Sequence, residues 1–221
     1  MTIKADEDLF QMMQEQLYSG VICDILDEVG FRNQAMREDI RPLVADTVLV
    51  GRAKTILFSD VYYIQHNPYE LEIKAIDSVK PGEVVVVSTN ESHRNGPWGE
   101  LMSMASKMRG ARGAIIDGLI RDTKKIRELG FPVFCVGFKP VDSKGRGMVI
   151  DYDCPVEVGK VLVHPGDIIF ADHDGVVVIP DQVLTSTIEK ALHKVQAENN
   201  TRNELRQGKL LGEVYEKYGV L

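Results

Sequence analysis

The sequence predicts an α/β fold with central βαβ units and a long C-terminal helical tail. Three apolar runs, at 83–88, 114–117 and 133–136, have the composition of buried strands, and helical patterns at about 97–109 and 122–129 separate them. Such alternation favours parallel strands joined by right-handed crossovers. In this layout, catalytic groups gather at the carboxyl ends of the strands.

The segments on either side extend this prediction to the whole chain. The chain has 221 residues, which is enough for a substantial core, and no linker rich in proline, glycine or serine divides it. We therefore interpret residues 1–221 as one domain with a helical tail at about 181–221, whose apolar stripe needs a partner surface such as a neighbouring subunit. The other predicted elements are helices at 6–17, before Gly30 and at 69–76, and strands at 43–50, 52–58, 156–163, 167–171 and 175–179.

Charge and composition exclude several classes of function. The formal net charge is -7 and the isoelectric point is about 5.3, whereas nucleic-acid and membrane surfaces favour clustered positive charge. No apolar run approaches the roughly 20 residues that cross a bilayer, and the acidic N-terminus is unlike a secretory signal. The three cysteines form neither a CxxC pair nor a disulfide framework. We expect a soluble, cytoplasmic protein with no nucleic-acid partner and no membrane partner.

The predicted helix at 97–109 begins in a way that suits an anion. Its first backbone N–H groups, near Gly99, Leu101 and Met102, have no partner inside the helix and can bind a carboxylate or a phosphate. The glycine lets a ligand approach the backbone closely. The spacing i, i+3, i+4 and i+7 predicts an apolar face packed on the core. That face consists of Leu101, Met104, Ala105 and Met108.

Two charged pairs, Gly99-Glu100 and Arg121-Asp122, bracket this helix and the strand that follows it. The helix start and the strand end can meet in one crevice. There an arginine would grip a carboxylate bidentately, and an aspartate would hold a hard divalent cation through oxygen. Structural explanations stay open at this point, because Asp122 can cap the next helix and Arg121 can pair with Glu100 or Asp117.

The spacing of these pairs also resembles a known family signature. Gly99-Glu100, twenty intervening residues and Arg121-Asp122 are similar to the motif of the class II pyruvate aldolases that act on 4-hydroxy-4-methyl-2-oxoglutarate and 4-carboxy-4-hydroxy-2-oxoadipate. The chain is similar also to the RraA-like regulators of ribonuclease E activity. The likeness covers most of the chain, through the segments CDILDEVG, RGARGAIIDGLIRD, HPGDIIFADHDGVVVIP and ENNTRNELRQGKLLGEVYEKYG.

The resemblance implies a fold, an assembly and a metal. The fold is an RraA-like α/β/α sandwich, assembled as a homotrimer or homohexamer with active sites between subunits. By analogy with the aldolases, Asp122 would ligate Mg²⁺ or Mn²⁺, Arg121 would bind the oxo-acid and balance enolate charge, and Glu100 would organise metal-bound water. Glu198 of the partner subunit would join the outer shell of the metal.

The same resemblance implies how substrate is held. The backbone amides of Leu101 and Met102, next to Gly99, would receive the substrate carboxylate. The chain departs from the aldolase pattern at two positions, because Glu100 stands where the aldolases commonly have aspartate and Lys125 stands where they tend to place an acid. These departures leave the family resemblance intact and the particular substrate open.

The activity that the resemblance implies is that of a divalent-metal-dependent lyase. It would cleave a 4-hydroxy-2-oxo acid to pyruvate and a second oxo-acid through a metal-stabilised enolate, with oxaloacetate decarboxylation as a side activity. Two alternatives remain. One is a non-catalytic RraA-like regulator that binds a ribonuclease E-type partner, and the other is a decarboxylase of another small oxo-acid.

Overall fold

The computed structural model describes residues 3–220, which form seven α-helices and ten strands. The helices are α1 (Ile3–Gln16), α2 (Ser19–Glu28), α3 (Glu70–Asp77), α4 (Glu100–Met108), α5 (Thr123–Leu129), α6 (Leu184–Arg206) and α7 (Leu211–Tyr218). The strands are β1 (Arg41–Pro42), β2 (Leu49–Asp60), β3 (Glu83–Ser88), β4 (Gly113–Ile120), β5 (Val133–Phe138), β6 (Gly147–Tyr152), β7 (Val156–Val158), β8 (Val161–Val163), β9 (Ile168–Ala171) and β10 (Val176–Ile179).

Eight strands form one mixed sheet. Its order is β1-β5-β4-β3-β2-β9-β10, and β6 also pairs with β2. The four strands β2 to β5 run parallel to one another, and α3, α4 and α5 connect them in turn. The remaining strands, β7 and β8, form a separate antiparallel hairpin. The α/β class, the central βαβ units and the C-terminal helical segment predicted from the sequence are therefore confirmed.

The two faces of the parallel strands build separate cores, because successive side chains of a strand point to opposite sides. On one face, Ile56, Val85 and Ile116 pack with buried residues of α3 and α5. On the other face, Val86 and Phe134 pack against the β7–β8 hairpin. A third cluster joins α1, α2 and α6 to β9 and β10. The helices that cover the first face place the amino end of α4 beside the carboxyl end of β4.

One long strand, β2, replaces the two strands that the sequence predicts around Gly51. It runs without a break from Leu49 to Asp60, and the residues before it, at 43–46, form a bend and a turn. A Cβ atom on Gly51 would lie 2.6 Å from the carbonyl oxygen of Gly82. This glycine therefore marks a close approach of two backbones, not the end of a strand. Two strands, β1 and β6, were not predicted at all.

The apolar face predicted for α4 is wrong. Leu101, Met104 and Met108 are 75%, 37% and 69% exposed, and the buried residues of this helix are Ser103 and Ser106. The indole nitrogen of Trp98 donates a hydrogen bond to Ser103 Oγ, which in turn donates to the carbonyl oxygen of Gly99. The buried hydroxyl of Ser103 is thus satisfied. Periodicity detected an apolar stripe, but it could not show that this stripe faces away from the sheet.

The C-terminal segment is helical, as predicted. A 3-10 turn at Asp181–Val183 leads into α6, and α7 follows after a short break. The predicted limits of the domain and of the tail include residues 1, 2 and 221, which lie outside the described residues. Within residues 3–220, no helix combines the length and the apolar character that crossing a bilayer requires.

Candidate functional site

The carboxyl end of β4 and the amino end of α4 meet in one crevice. Trp98 forms an isolated parallel bridge with Ile120, and the backbone N–H of Arg121 donates to the carbonyl oxygen of Trp98 at 2.8 Å. From the neighbouring strand, the N–H of Lys139 donates to the carbonyl oxygen of Ile120 at 2.9 Å. These bonds fix the residue before Gly99 against the end of β4. The structure therefore brings the two predicted charged pairs together.

Asp122 has an uncommon backbone conformation that aims its side chain into the crevice. Its φ and ψ are 56° and 30°, the left-handed region, which aspartate tolerates better than most residues. Its side chain makes no capping bond to α5, so the capping interpretation is wrong. Instead Oδ2 lies 3.4 Å from the backbone nitrogen of Glu100 and 3.7 Å from Nε of Arg121. The side chain is 46% exposed, which leaves its oxygens available to a ligand.

Gly99 is required by space. A Cβ atom at this position would lie 2.7 Å from Oδ2 of Asp122 and 3.1 Å from Cγ of Arg121. Its φ of -144° is ordinary extended backbone, so conformation does not explain the glycine. The N-cap residue Gly99 has no side chain to cap α4, and of the N–H groups at this helix end Asp122 Oδ2 accepts only that of Glu100, at 3.4 Å. The N–H groups of Leu101 and Met102 lie in the first turn, where a helix offers no internal partner. An anion can therefore approach this helix end beside Arg121.

Arg121 pairs with an acid that the sequence did not indicate. Its Nη1 lies 3.1 Å from Oδ1 of Asp142, and the hydroxyl of Tyr69 donates to Oδ2 of the same carboxylate at 2.7 Å. The expected alternatives, pairing of Arg121 with Glu100 or with Asp117, are therefore wrong. Burial opposes ionisation of Asp142, but the hydrogen bond from Tyr69 and the charge of Arg121 outweigh it and lower its pKa. Burial and the bond to Asp142 raise the pKa of Tyr69 to about 12.

A second acid, Glu72 of α3, faces the same arginine. It lines a narrow cavity together with apolar side chains, which are Ile56, Phe58, Val87, Pro97, Trp98, Met102 and Val149. Burial raises the pKa of Glu72 to about 7, the negative charge of Asp142 adds to this effect, and the charge of Arg121 opposes it. The carboxyl group is therefore largely protonated below neutral pH.

The donor set of the crevice fits a hard divalent cation. No group of three His, Cys, Asp or Glu side chains that could hold a metal occurs among residues of the described chain, so a closed zinc site does not fit. Mg²⁺ keeps several waters and needs only one or two carboxylates from the protein. The exposed carboxylate of Asp122, with the acid of Glu100 in the first turn of α4, meets that requirement.

The side chains of two other residues singled out from the sequence make their polar contacts outside this crevice. Glu198 of α6 accepts a hydrogen bond from the hydroxyl of Tyr18 and lies 3.8 Å from Nη2 of Arg202. None of its polar contacts in the described part of the chain is with Asp122. Lys125 pairs with Glu128 at 3.2 Å and is 66% exposed. The role of Glu198 in a partner subunit's site stays a prediction.

Sequence reasoning missed Tyr69, Glu72 and Asp142. A signal existed for Asp142, which follows β5 and so lies at the same sheet edge as the end of β4. Glu72 gave no signal, because an acid in the segment ELEIKAID has the spacing of an ordinary exposed helix face. Only the packing of α3 on the cavity shows that this acid is directed inward.

Comparison with known proteins shows which family this chain resembles. The family model described as RraA-like, Aldolase/RraA, matches residues 20–178. The "Putative 4-hydroxy-4-methyl-2-oxoglutarate aldolase" of Halalkalibacterium halodurans is 32% identical over 82% of this chain and 80% of that protein. Protein DlpA of Legionella pneumophila is 30% identical over 90% of this chain, which spans only 32% of DlpA.

A solved structure extends the likeness to three dimensions. The crystal structure of Streptomyces coelicolor RraAS2, described as an unusual member of the RNase ES inhibitor RraA protein family, superposes with a TM-score of 0.79 at 31% identity. The match covers 88% of this chain and 96% of RraAS2. The matched residues include both charged pairs, together with α4 and β4, which connect them. The chain belongs to the RraA-like family.

Proposed function

We propose that the protein is a divalent-metal-dependent lyase that cleaves a 4-hydroxy-2-oxo acid to pyruvate and a second oxo-acid. The observation that carries this proposal is the exposed, left-handed Asp122, whose carboxylate turns away from α5 toward Gly99 and the amino end of α4. A similarity to a relative named as an aldolase supports it. A divalent cation held by Asp122, Mg²⁺ or Mn²⁺, would supply Lewis-acid polarisation of the 2-oxo group.

The substrate anion would be bound by the amino end of α4 and by Arg121. The N–H groups of Leu101 and Met102 would donate hydrogen bonds to the substrate carboxylate. Arg121, held by Asp142, presents a fixed positive charge to the oxygens where negative charge develops. When the C3–C4 bond breaks, its electron pair forms the enolate of pyruvate. The second oxo-acid leaves with the carbonyl group made from the former 4-hydroxyl.

Proton movement would be the task of Glu100. The 4-hydroxyl proton must leave as the C3–C4 bond breaks, and a proton must then reach C3 to give pyruvate. The side chain of Glu100 makes no hydrogen bond within the described chain, so it is available to a water at the crevice mouth. Decarboxylation of oxaloacetate yields the same enolate after loss of CO₂. We therefore propose it as a side activity of the same residues.

We also propose that the active unit is a homo-oligomer, a trimer or a hexamer. The exposed apolar stripe of Leu101, Met104 and Met108 lies on the helix that starts at the site, and a second copy of the chain would cover it. Glu198 of the partner subunit would then approach the cation from outside. Mass measurement by light scattering tests this proposal, and a monomer at micromolar concentration would contradict it.

The proposed activity is tested by pyruvate release from 4-hydroxy-4-methyl-2-oxoglutarate and from oxaloacetate. Each substrate is assayed with Mg²⁺, with Mn²⁺ and with a chelator. The proposal predicts turnover of both substrates that the chelator abolishes and either cation restores. Turnover of oxaloacetate alone would favour the decarboxylase of another small oxo-acid. Chelator-resistant turnover, or none with an intact oligomer, would contradict the metal-dependent lyase.

The second candidate function is that of a non-catalytic regulator. The similarity to RraAS2, described as a member of a ribonuclease inhibitor family, favours it. This candidate predicts that the protein binds an RNase E-type enzyme and lowers its cleavage rate, and that Asp122→Asn leaves this inhibition unchanged. Absence of binding, together with metal-dependent pyruvate release, would reject it.

A further inference from the structure

Glu72 is an acid without a polar partner beside the proposed anion site. Its carboxyl group lines a cavity of about 10 Å³, which has room for little more than one water. The cavity walls are otherwise apolar, and within the described residues the carboxyl group makes no hydrogen bond and no ion pair. A carboxylate in such surroundings loses hydration without compensation. An acid at this position needs a reason other than packing.

The charged groups that face Glu72 define its surroundings. They are Asp142 from the loop after β5 and Arg121 from the end of β4. The helix α4 and the strand β6, which also border the cavity, contribute the apolar residues Met102 and Val149 there. Tyr69, which bonds Asp142, keeps its proton because its pKa is about 12. Two carboxyl groups therefore lie within the electrostatic influence of one arginine, and only Asp142 forms an ion pair with it among the described residues.

Arg121 forms its ion pair with Asp142. The contact of 3.1 Å between Arg121 Nη1 and Asp142 Oδ1, with the Tyr69 bond on the other oxygen, fixes one edge of the guanidinium. With Glu72 neutral, the rest of the guanidinium remains available to a substrate anion. With Glu72 ionised, a second negative charge faces Arg121 from a wall of low polarity, where charges interact more strongly than in water.

We propose that Glu72 is a positioning and charge-regulating residue of the anion site: its protonated form leaves Arg121 free to bind the substrate carboxylate, and its ionised form weakens that binding. The burial of this carboxyl group, which sets its pKa at about 7, places the change near neutral pH. The sign follows directly, because anion affinity is highest below pH 7 and falls as the pH rises. This inference rests on the proposed function for the identity of the anion.

The test uses pyruvate, the proposed product, as the probe. Trp98 is the single tryptophan of the chain, and it lines the cavity together with Glu72. Its fluorescence therefore reports on the cavity and on the ionisation of Glu72. Pyruvate is titrated into the full-length protein with Mg²⁺ at about pH 6 and about pH 8, since its own charge is constant over this range. We expect the dissociation constant to rise between about threefold and tenfold at the higher pH.

Two variants isolate the contribution of Glu72. Glu72→Gln keeps the shape of the side chain and cannot ionise, so its affinity should equal the low-pH affinity of the wild type at both pH values. Glu70→Gln removes an exposed acid from the same helix, one that forms an ion pair with Lys74 at the surface, and should keep the wild-type pH dependence. Other groups also titrate in this pH range. The contribution of Glu72 is therefore the difference in the pH dependence of pyruvate affinity between Glu72→Gln and Glu70→Gln.

Infrared difference spectroscopy gives a readout that needs neither turnover nor a variant. The carboxylic-acid band of protonated Glu72, a partly buried side chain, should disappear with a midpoint near pH 7, and bound pyruvate should raise that midpoint by linkage. Equal pH dependence in Glu72→Gln and Glu70→Gln would overturn the inference, as would a midpoint that pyruvate does not move. A protein that shows the expected dependence but releases no pyruvate from either oxo-acid would reject the proposed function and retain this inference.

Discussion

Asp117 and Asp122 lie five positions apart at the same end of β4, yet their carboxyl groups differ in every physical respect. Asp117 is 1% exposed and accepts hydrogen bonds from the backbone nitrogen and the hydroxyl of Thr89, at 2.5 and 2.7 Å. Asp122 is exposed, adopts a left-handed backbone and makes only long contacts. The carboxylate of Asp117 is satisfied by hydrogen bonds within the fold, whereas the carboxylate of Asp122 is accessible to a ligand.

The comparison also shows why the fold can hold Asp122 in this state. Burial raises the pKa of Asp117, and the bonds from Thr89 and the charge of Arg37 only partly offset that effect. In exchange, its bonds to Thr89 tie the end of β3 to β4. Asp122 needs no such bonds, because Gly99 and the backbone contacts of Trp98 and Arg121 fix the chain around it. The backbone contacts of the neighbouring residues thus hold Asp122 in its exposed, left-handed conformation, although that conformation costs free energy.

The largest expected effect comes from Asp122→Asn. The amide keeps the size and the tolerance for the left-handed backbone but removes the charge that would hold the cation. We expect kcat/KM to fall by about a thousandfold or more, with the melting temperature unchanged within about 2 °C. Steady-state pyruvate release and thermal unfolding measure the two quantities. Turnover close to that of the wild type would assign the cation to another residue.

Gly99→Ala should reduce activity less. The added Cβ would lie 2.7 Å from Asp122 Oδ2, so the carboxylate must move by a few tenths of an ångström or more. A displacement of that size in a preorganised site costs about ten- to a hundredfold in kcat/KM. The matched control is Gly212→Ala in α7, where no atom lies within 4 Å of the new Cβ. Equal activity in the two variants would show that space at Gly99 does not matter.

Asp142→Asn should have a smaller effect that falls mainly on substrate binding. The variant weakens the ion pair that fixes Arg121 but keeps an acceptor for the Tyr69 hydroxyl. Because supporting residues of this kind typically contribute about tenfold, we expect a tenfold lower kcat/KM, mostly through KM. A change confined to thermal stability, with KM unaltered, would make Asp142 a structural residue only.

Asp117→Ala should have the smallest effect on activity and a clear effect on stability. It leaves the backbone nitrogen and the hydroxyl of Thr89 without their buried acceptor. An unsatisfied buried donor costs about 1–3 kcal/mol, so the free energy of unfolding should fall by that amount. Denaturant titration measures this change, while kcat/KM of the folded protein should stay within about twofold. A loss of turnover as large as that of Asp122→Asn would erase the distinction between the two aspartates.

Sequence reasoning predicted the parts of the fold that depend on local pattern. The runs at 83–88, 114–117 and 133–136 became strands because continuous apolar segments between helices must be buried on both faces. It went wrong at Gly51, where the glycine serves a contact with Gly82 that is distant in sequence. It went wrong also on α4, because an apolar stripe does not reveal which surface will cover it.

For the site, the two charged pairs were visible because each lies next to an element end that topology brings to one edge. Their meeting, through Gly99 and Asp122, agrees with that expectation. The pairing of Arg121 with Asp142 was missed, because the position of Asp142 after β5 indicates only the sheet edge and no periodicity describes the path of its loop. Glu72 was hidden for a related reason, since its inward direction depends on how α3 packs on the sheet.

The central claim, that Asp122 and not Asp117 holds the divalent cation, is tested most directly by Mn²⁺ binding in electron paramagnetic resonance titrations. The wild type is compared with Asp122→Asn and Asp117→Asn, and each protein is first shown to be folded. We expect a bound Mn²⁺ signal in the wild type and in Asp117→Asn, and its loss in Asp122→Asn. Wild-type affinity in Asp122→Asn, or loss of binding in Asp117→Asn alone, would contradict it.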